Sequence, residues 1–303
     1  MDFIEEKDRT ALLEEKKSSR RSAMLLGGAA LAGLALSRSK AFAQASTTVT
    51  DNDILNFALN LEFLEAQFYT IATTGMTLEQ AGISTKGGDG SVGGTVTVKP
   101  NATVPFSTPL LKQLAMEITM DEQNHVKFLQ SALTTNAVAQ PNIDLMTSFN
   151  TLAMAAGLGA AFDPFASETN FLLGAFVFED VGVTAYQGAA GLISSKTYLD
   201  KAVGIHNVEA YHAAAIRTRI FQAGTMAQSA SQAIAATRAK LDGSGNDDIG
   251  VGITNGAATI VDNDANGMTY PRTTTQVLSI VYGGGAAGTG GVFYPNAMNG
   301  TIK

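Results

Sequence analysis

The sequence predicts an all-α protein: a four-helix bundle with a long crossover, a short extra helix and an irregular Gly-rich C-terminal segment. Three observations predict it. Four long segments carry apolar residues at the three- and four-residue spacing of a helix face. Each segment places a glutamate among those apolar residues: Glu62, Glu122, Glu179 and Glu209. The order also repeats. Glu62 stands seven residues before Tyr69 and is followed by Glu122-x-x-His125; Glu179 stands seven before Tyr186 and is followed by Glu209-x-x-His212. A buried carboxylate is tolerated only with a partner or a metal. One Glu from each of two helices, plus Glu-x-x-His from each of the other two, is a ligand set for two metal ions inside a bundle.

Not all of the 303 residues belong to that fold. Ser19-Arg20-Arg21-Ser22 precedes the apolar run Ala23–Leu36, and Ala41-Phe42-Ala43 offers a small-x-small cleavage site. This is the layout of a signal peptide, and the arginine pair points to the twin-arginine route. The run has 14 residues, short of the ~20 that span a bilayer. Residues 1–43 are expected to be removed, leaving a periplasmic or extracellular protein with no stable membrane span. The bundle is expected over 44–241, with 242–303 as an extension packed on it.

Asp51–Thr74 reads as the first helix. Leu55, Leu59, Glu62, Ala66 and Tyr69 share one stripe, and Asp51 or Asn52 is the expected N-cap. Gly75–Pro105 breaks the pattern with Gly-Gly pairs, and the alternating Thr95-Val96-Thr97-Val98 predicts a short hairpin. Thr108 and Pro109 open the second helix, which runs to about Leu133. The link Thr134–Ser167 is long enough for a crossover and contains a short helix near Leu145–Ala156. Ser167 caps a third helix, Glu168–Ile193, whose only charges from Phe171 onward are Glu179 and Asp180. Two adjacent acids at mid-segment would be expensive in lipid, so this is a central buried helix and not a membrane span. A fourth helix covers Thr197–Gln222 and a shorter fifth Ala227–Leu241, and beyond Asp242 no helical period survives.

Charge and composition narrow the chemistry. Residues 1–43 hold eight of the 20 Lys and Arg and six of the 27 Asp and Glu, so the remaining chain carries a net charge of −9. It has no basic run, which argues against a nucleic-acid partner. The absence of cysteine excludes thiol catalysis, a rubredoxin-type iron centre and iron–sulfur clusters. After residue 43 there are eight Glu and three His, and the repeated motif uses four and two of them. Residues three apart share a helix face, so each Glu-x-x-His offers a carboxylate and an imidazole to one point.

The order Glu, Glu-x-x-His, repeated, resembles the ferritin-like superfamily. Asn60-Leu61-Glu62 with Tyr69 is similar to the first-helix motif of ferritins and bacterioferritins. Phe171–Tyr186, Val208–His212 and Gln276–Tyr282 together resemble the desiccation-related ferritin-like proteins, over most of Asp51–Lys303. The resemblance implies Glu62, Glu122, His125, Glu179, Glu209 and His212 as ligands of two Fe or two Mn ions, with Tyr69 and Tyr186 lining the site in a catalytic role. The export signal, the Gly75–Pro105 insertion and the long tail depart from cage ferritins. The scaffold hosts several activities, so fold alone does not decide function.

The other polar residues have readings of their own. Glu65 lies on the Glu62 face as a bridging ligand or a supporting acid. Asp121, one turn before His125, is expected to orient that imidazole. Asp180 points away from the centre, toward helix-end or cross-helix hydrogen bonding. Glu117 is expected to be solvated and His206 to be a satisfied structural histidine. Two function classes stay open: an oxidoreductase that oxidises Fe(II) or removes peroxide, acting on peroxide or oxygen, and a non-catalytic, metal-stabilised envelope protein of stress or desiccation tolerance. The sequence leaves a homo-oligomer open.

Overall fold

The computed structural model describes residues 49–245 and 247–303; the expected signal peptide, 1–43, lies outside them. Helix α1 (Asp51–Thr74) is capped by Thr50, not by Asp51 or Asn52. Thr50 and Asp53 form a capping box, each side chain accepting the other's backbone N–H. Asp51 is thereby free to accept the backbone N–H groups of Ser194 and Ser195, at 2.8 and 2.9 Å. Helix α2 (Pro109–Leu133) starts with proline, whose missing N–H costs nothing in a first turn. Thr108 occupies its N-cap position but turns its hydroxyl to the Glu168 carboxylate, at 2.8 Å.

The crossover holds helix α3 (Thr147–Ala155). Helix α4 (Glu168–Ala190) is capped by Ser167 and ends three residues before the expected Ile193. The reason is local: Leu192 and Ile193 bond back to Ala189 and Ala190, tightening the end into three-residue turns at Gly191. Helices α5 (Lys196–Gln222) and α6 (Thr225–Asp242) follow. The all-α class and the crossover are as the sequence predicts.

Helix α1 packs along α2 and α4 along α5, and the two pairs meet where α1 touches α4. Both α1 and α4 are apolar on nearly every side and are buried on nearly every side, whereas α2 and α5 keep a solvent face. The apolar length of α4 is therefore spent on the protein core. Among the described residues no helix is long and apolar enough to cross a membrane. Phe68, Phe149, Phe171, Phe178 and Phe293 form edge-on, tilted and stacked pairs that join α1, the crossover, α4 and the tail.

Two expectations are corrected. Strand β1 (Val96–Thr97) makes no hairpin; it pairs in parallel with β2 (Ile143–Asp144), stitching the α1–α2 insertion to the crossover. The alternating Thr-Val pattern was right for a strand, but its partner lies in another loop. The tail is also less irregular than expected. Thr273 and Gln276 form a second capping box that starts helix α7 (Thr274–Val281), which packs on α6 and α4. A two-stranded ribbon of β3 (Ile253–Thr254) and β4 (Ala257–Ala258) precedes it. The tail lies so close to α4 that a Cβ at Gly188 would fall 1.9 Å from the Arg272 carbonyl oxygen.

Candidate metal centre

The two inner helices each present one carboxylate to the axis of the bundle, Glu62 from α1 and Glu179 from α4. The outer helices each present two groups three residues apart, Glu122 and His125 from α2, Glu209 and His212 from α5. All six side chains are buried. Glu62, Glu122, His125 and Glu209 each offer a donor atom within 4.8 Å of the others, and so do Glu122, Glu179 and His212. Glu122 belongs to both groups, each of which could hold a metal ion. The structure thus brings together every residue of the repeated motif.

The charges of the cluster are only partly matched among its own side chains. His125 Nδ1 lies 3.2 Å from Glu62 and 3.5 Å from both Glu122 and Glu209. His212 Nδ1 lies 3.0 Å from Glu122 and 3.5 Å from Glu179. These are ion-pair distances, yet few are aligned as hydrogen bonds. Among the described residues, both oxygens of Glu122 and of Glu209, Glu179 Oε2 and His212 Nδ1 are buried without a hydrogen-bond partner. Such groups cost roughly 1–3 kcal/mol each when left unsatisfied. A donor set of carboxylate oxygens and imidazole nitrogens converging without partners fits an oxygen- and nitrogen-liking divalent metal.

Proton affinities follow the same logic. Burial alone would lower His125, but the Glu62 charge and bonds to Glu122 and Glu62 outweigh it and push its pKa up to about 12. His212 is raised in the same way by Glu179 and Glu122. Burial raises Glu62 to about 7 against the pull of His125. Glu179 is raised and Glu209 raised well above the usual carboxylate range, again chiefly by burial. For Glu122 burial is outweighed by the two imidazoles beside it, His125 and His212, which hold it low. Two protonated imidazoles therefore occupy, in the metal-free protein, the electrostatic role of cations.

The tyrosines are exchanged between the halves. Tyr69 of α1 donates to Glu179 of α4, and Tyr186 of α4 donates to Glu62 of α1. Each fixes one oxygen of a carboxylate and leaves the other for the centre. Burial, reinforced by the adjacent carboxylate, raises both phenols well above their usual range, so they stay protonated donors.

Some neighbours differ from expectation. Asp121 contacts His212 Nε2, at 3.2 Å, and not His125; it faces across to α5 because its own imidazole lies one turn along the same helix. His206 is half-buried, and among the described residues its Nε2 has no hydrogen-bond partner, so that nitrogen is not satisfied as the sequence suggested. Glu117 is exposed, as expected. Glu65 is buried beside the centre, but its oxygens fall outside both donor groups.

Two features escaped the sequence reading. Gly182, three residues after Glu179, leaves a space that a side chain would fill: its Cβ would stand 2.4 Å from Glu209 Oε2. Its signal was available as the +3 position of the repeated Glu-to-Tyr interval. The second is a buried ionic network behind α4. Asp180 accepts from Arg217 at 2.7 Å and Arg238 at 2.8 Å, and Asp248 from Arg238 and Arg272, both at 2.7 Å. Asp180, Asp248 and Asp262 also lie close enough together to hold an ion, but guanidinium groups already take that place for the first two.

Comparison with known proteins agrees with this architecture. The family described as "Ferritin-like domain" matches residues 50–222. Over 271 residues, 83% of both chains, the protein is 28% identical to "Desiccation-related protein PCC13-62" of Craterostigma plantagineum. Over 273 residues, 83% of this chain and 84% of the relative, it is 26% identical to "Ferritin-like catalase Nec2" of Nesocodon mauritianus. No solved structure gives a significant match. With four helices carrying the repeated acids and a family match that spans all of them, this chain belongs to the ferritin-like domain family.

Proposed function

We propose that the protein holds two iron or manganese ions between Glu62, Glu122, His125, Glu179, Glu209 and His212, and uses them outside the cytoplasm to remove hydrogen peroxide. The observation that carries the reading is the set of buried, partnerless oxygens on Glu122, Glu179 and Glu209. The groups of opposite charge beside them are the His125 and His212 imidazoles, 3.0–3.5 Å away, and these are themselves ligand candidates. When bound, the metal pair supplies the two-electron change that oxidises one peroxide to O2 while another is reduced to two waters. The chain's part is to place donors and keep them placed. Tyr69 and Tyr186 orient Glu179 and Glu62, Asp121 orients His212, and the apolar faces of α1 and α4 limit water.

Peroxide is favoured over Fe(II) as substrate because one relative is described as a ferritin-like catalase. The other relative's name, desiccation-related, supports a second reading in which the metals stabilise a non-catalytic envelope protein. The test is metal analysis of protein made in its native host, followed by O2 release from peroxide. Two ions per chain with O2 release lost in Glu209→Ala supports the proposal. Two ions without turnover favours the second reading, and absence of metal defeats both. Replacing Arg20 and Arg21 by Lys tests the export route, since the precursor should then be retained in the cell.

A further inference from the structure

The two halves of the centre match at the glutamate and at the tyrosine seven residues on, and they differ in the residue that stands one turn after the glutamate. Glu62 and Tyr69 in α1 correspond to Glu179 and Tyr186 in α4. Three residues after the glutamate, the first half has Glu65 and the second has Gly182. These two positions meet in space. A Cβ at Gly182 would lie 2.4 Å from Glu209 Oε2 and 3.3 Å from Glu65 Oε1. The first distance is impossible without movement and the second is tight, so the missing side chain is the room in which both carboxylates stand.

Glu65 is buried at 5% exposure in a wall that includes Leu61, Leu64, Val181, Phe178 and Phe293. The buried arginines do not serve it; they engage Asp180, Asp242 and Asp248. Burial, reinforced by the neighbouring glutamates, raises the Glu65 carboxyl well above the usual carboxylate range, so its charge needs a counter-charge, and the cations that the centre would hold on its open side would supply one.

Resting on the dinuclear reading above, we propose that Glu65 is a fifth carboxylate of the centre, seated behind Glu209 by Gly182, and that it selects the more highly charged, oxidised metal pair. The four ligand carboxylates balance two divalent ions. A fifth negative charge instead balances one divalent and one trivalent ion. In a buried site an uncompensated charge is expensive, so Glu65 favours loss of one electron from the pair. It acts by its charge, because its oxygens lie outside both donor groups.

The experiment uses iron-loaded wild type, Glu65→Gln, Glu65→Leu and Glu65→Asp. Glutamine keeps the volume, leucine suits the apolar wall, and aspartate keeps the charge. Iron content is measured first, then the midpoint of the first oxidation of the pair by an anaerobic titration followed by electron paramagnetic resonance. All four proteins should hold two irons. Glu65→Gln and Glu65→Leu should raise the midpoint so that the oxidised-over-reduced ratio at a given potential falls tenfold or more, about 59 mV per tenfold for one electron, and Glu65→Asp should return most of it. Wild-type midpoints in Glu65→Gln and Glu65→Leu, with two irons each, overturn the role of Glu65. Wild type that takes up no iron overturns the dinuclear reading itself.

Discussion

Glu179→Gln removes one negative charge from the centre while keeping the volume of the side chain and an oxygen to accept the Tyr69 hydroxyl. It is therefore a probe of metal binding with little cost to packing. In wild type the partnerless atoms of Glu122, Glu179, Glu209 and His212 each carry an unsatisfied cost of roughly 1–3 kcal/mol, which metal relieves only in the folded state. At a thousandfold excess over Kd, binding stabilises the fold by about 4 kcal/mol. For a chain of this size that corresponds to a rise in Tm of roughly 8–16 °C. Glu179→Gln spoils the group Glu122, Glu179 and His212 and leaves Glu62, Glu122, His125 and Glu209 intact. At least half of the metal-induced rise should be lost, whereas Glu79→Ala, on an exposed turn, should keep all of it. Thermal unfolding with and without Mn(II) measures both. Equal metal-induced rises in wild type and Glu179→Gln would mean that the acids are structural.

Further outcomes are expected. His125, pushed up to about 12, and His212, raised likewise, must each lose a proton to bind metal, so metal affinity should climb with pH and protons should be released; titration calorimetry in two buffers that shows no proton release between about pH 6 and 8 contradicts this. Asp262 is pushed up from 3.8 to about 7 by burial and then by Asp180 and Asp248. Its folded pKa exceeds its unfolded one, so its favourable contribution is full below about pH 4 and is lost as pH rises through 7. Asp262→Asn should therefore gain on the order of 1–3 kcal/mol relative to wild type at about pH 8 over its effect at pH 4, and equal effects at both refute the argument. Gly188→Ala should cost about 3 kcal/mol by forcing the Arg272 segment off α4, against no loss in Gly191→Ala, where nothing lies within 4 Å; urea unfolding of the two variants decides it.

The legible part of this fold is periodic or repeated. Helix α1 over Asp51–Thr74 and α2 over Pro109–Leu133 stand where apolar spacing put them, and the six ligand candidates converge as the matched intervals imply. What was not legible depends on neighbours remote in sequence. Val96–Thr97 finds its partner at Ile143–Asp144, and no local pattern distinguishes that from a hairpin. Asp121 sits one turn from His125 but reaches His212, because the shorter distance runs across helices. Helix α7 is only eight residues long, too short for periodicity to declare itself, although its capping box of Thr273 and Gln276 was readable. The arginines behind α4 gave no signal at all, since a lone Arg in a sequence reads as a surface charge until Asp180 and Asp248 are seen beside it.

Tyr294 and Asn299 fasten the tail to helix α1. The Tyr294 hydroxyl donates to the Asn60 carbonyl oxygen at 2.7 Å, and Asn299 exchanges two hydrogen bonds with the Asn60 side chain, at 2.8 and 3.0 Å. Asn60 lies two residues before Glu62. Loop closures of this length are slow to form because their entropy must be met before the contact rewards it. A growing chain cannot make them until residues 294–299 have been made, so α1 waits for those residues with the buried Asn60 side-chain oxygen unpaired. Full-length chains and chains cut before Tyr294 should therefore differ in how fast α1 becomes protected from hydrogen exchange, and early termination should yield a bundle whose first ligand helix remains loose.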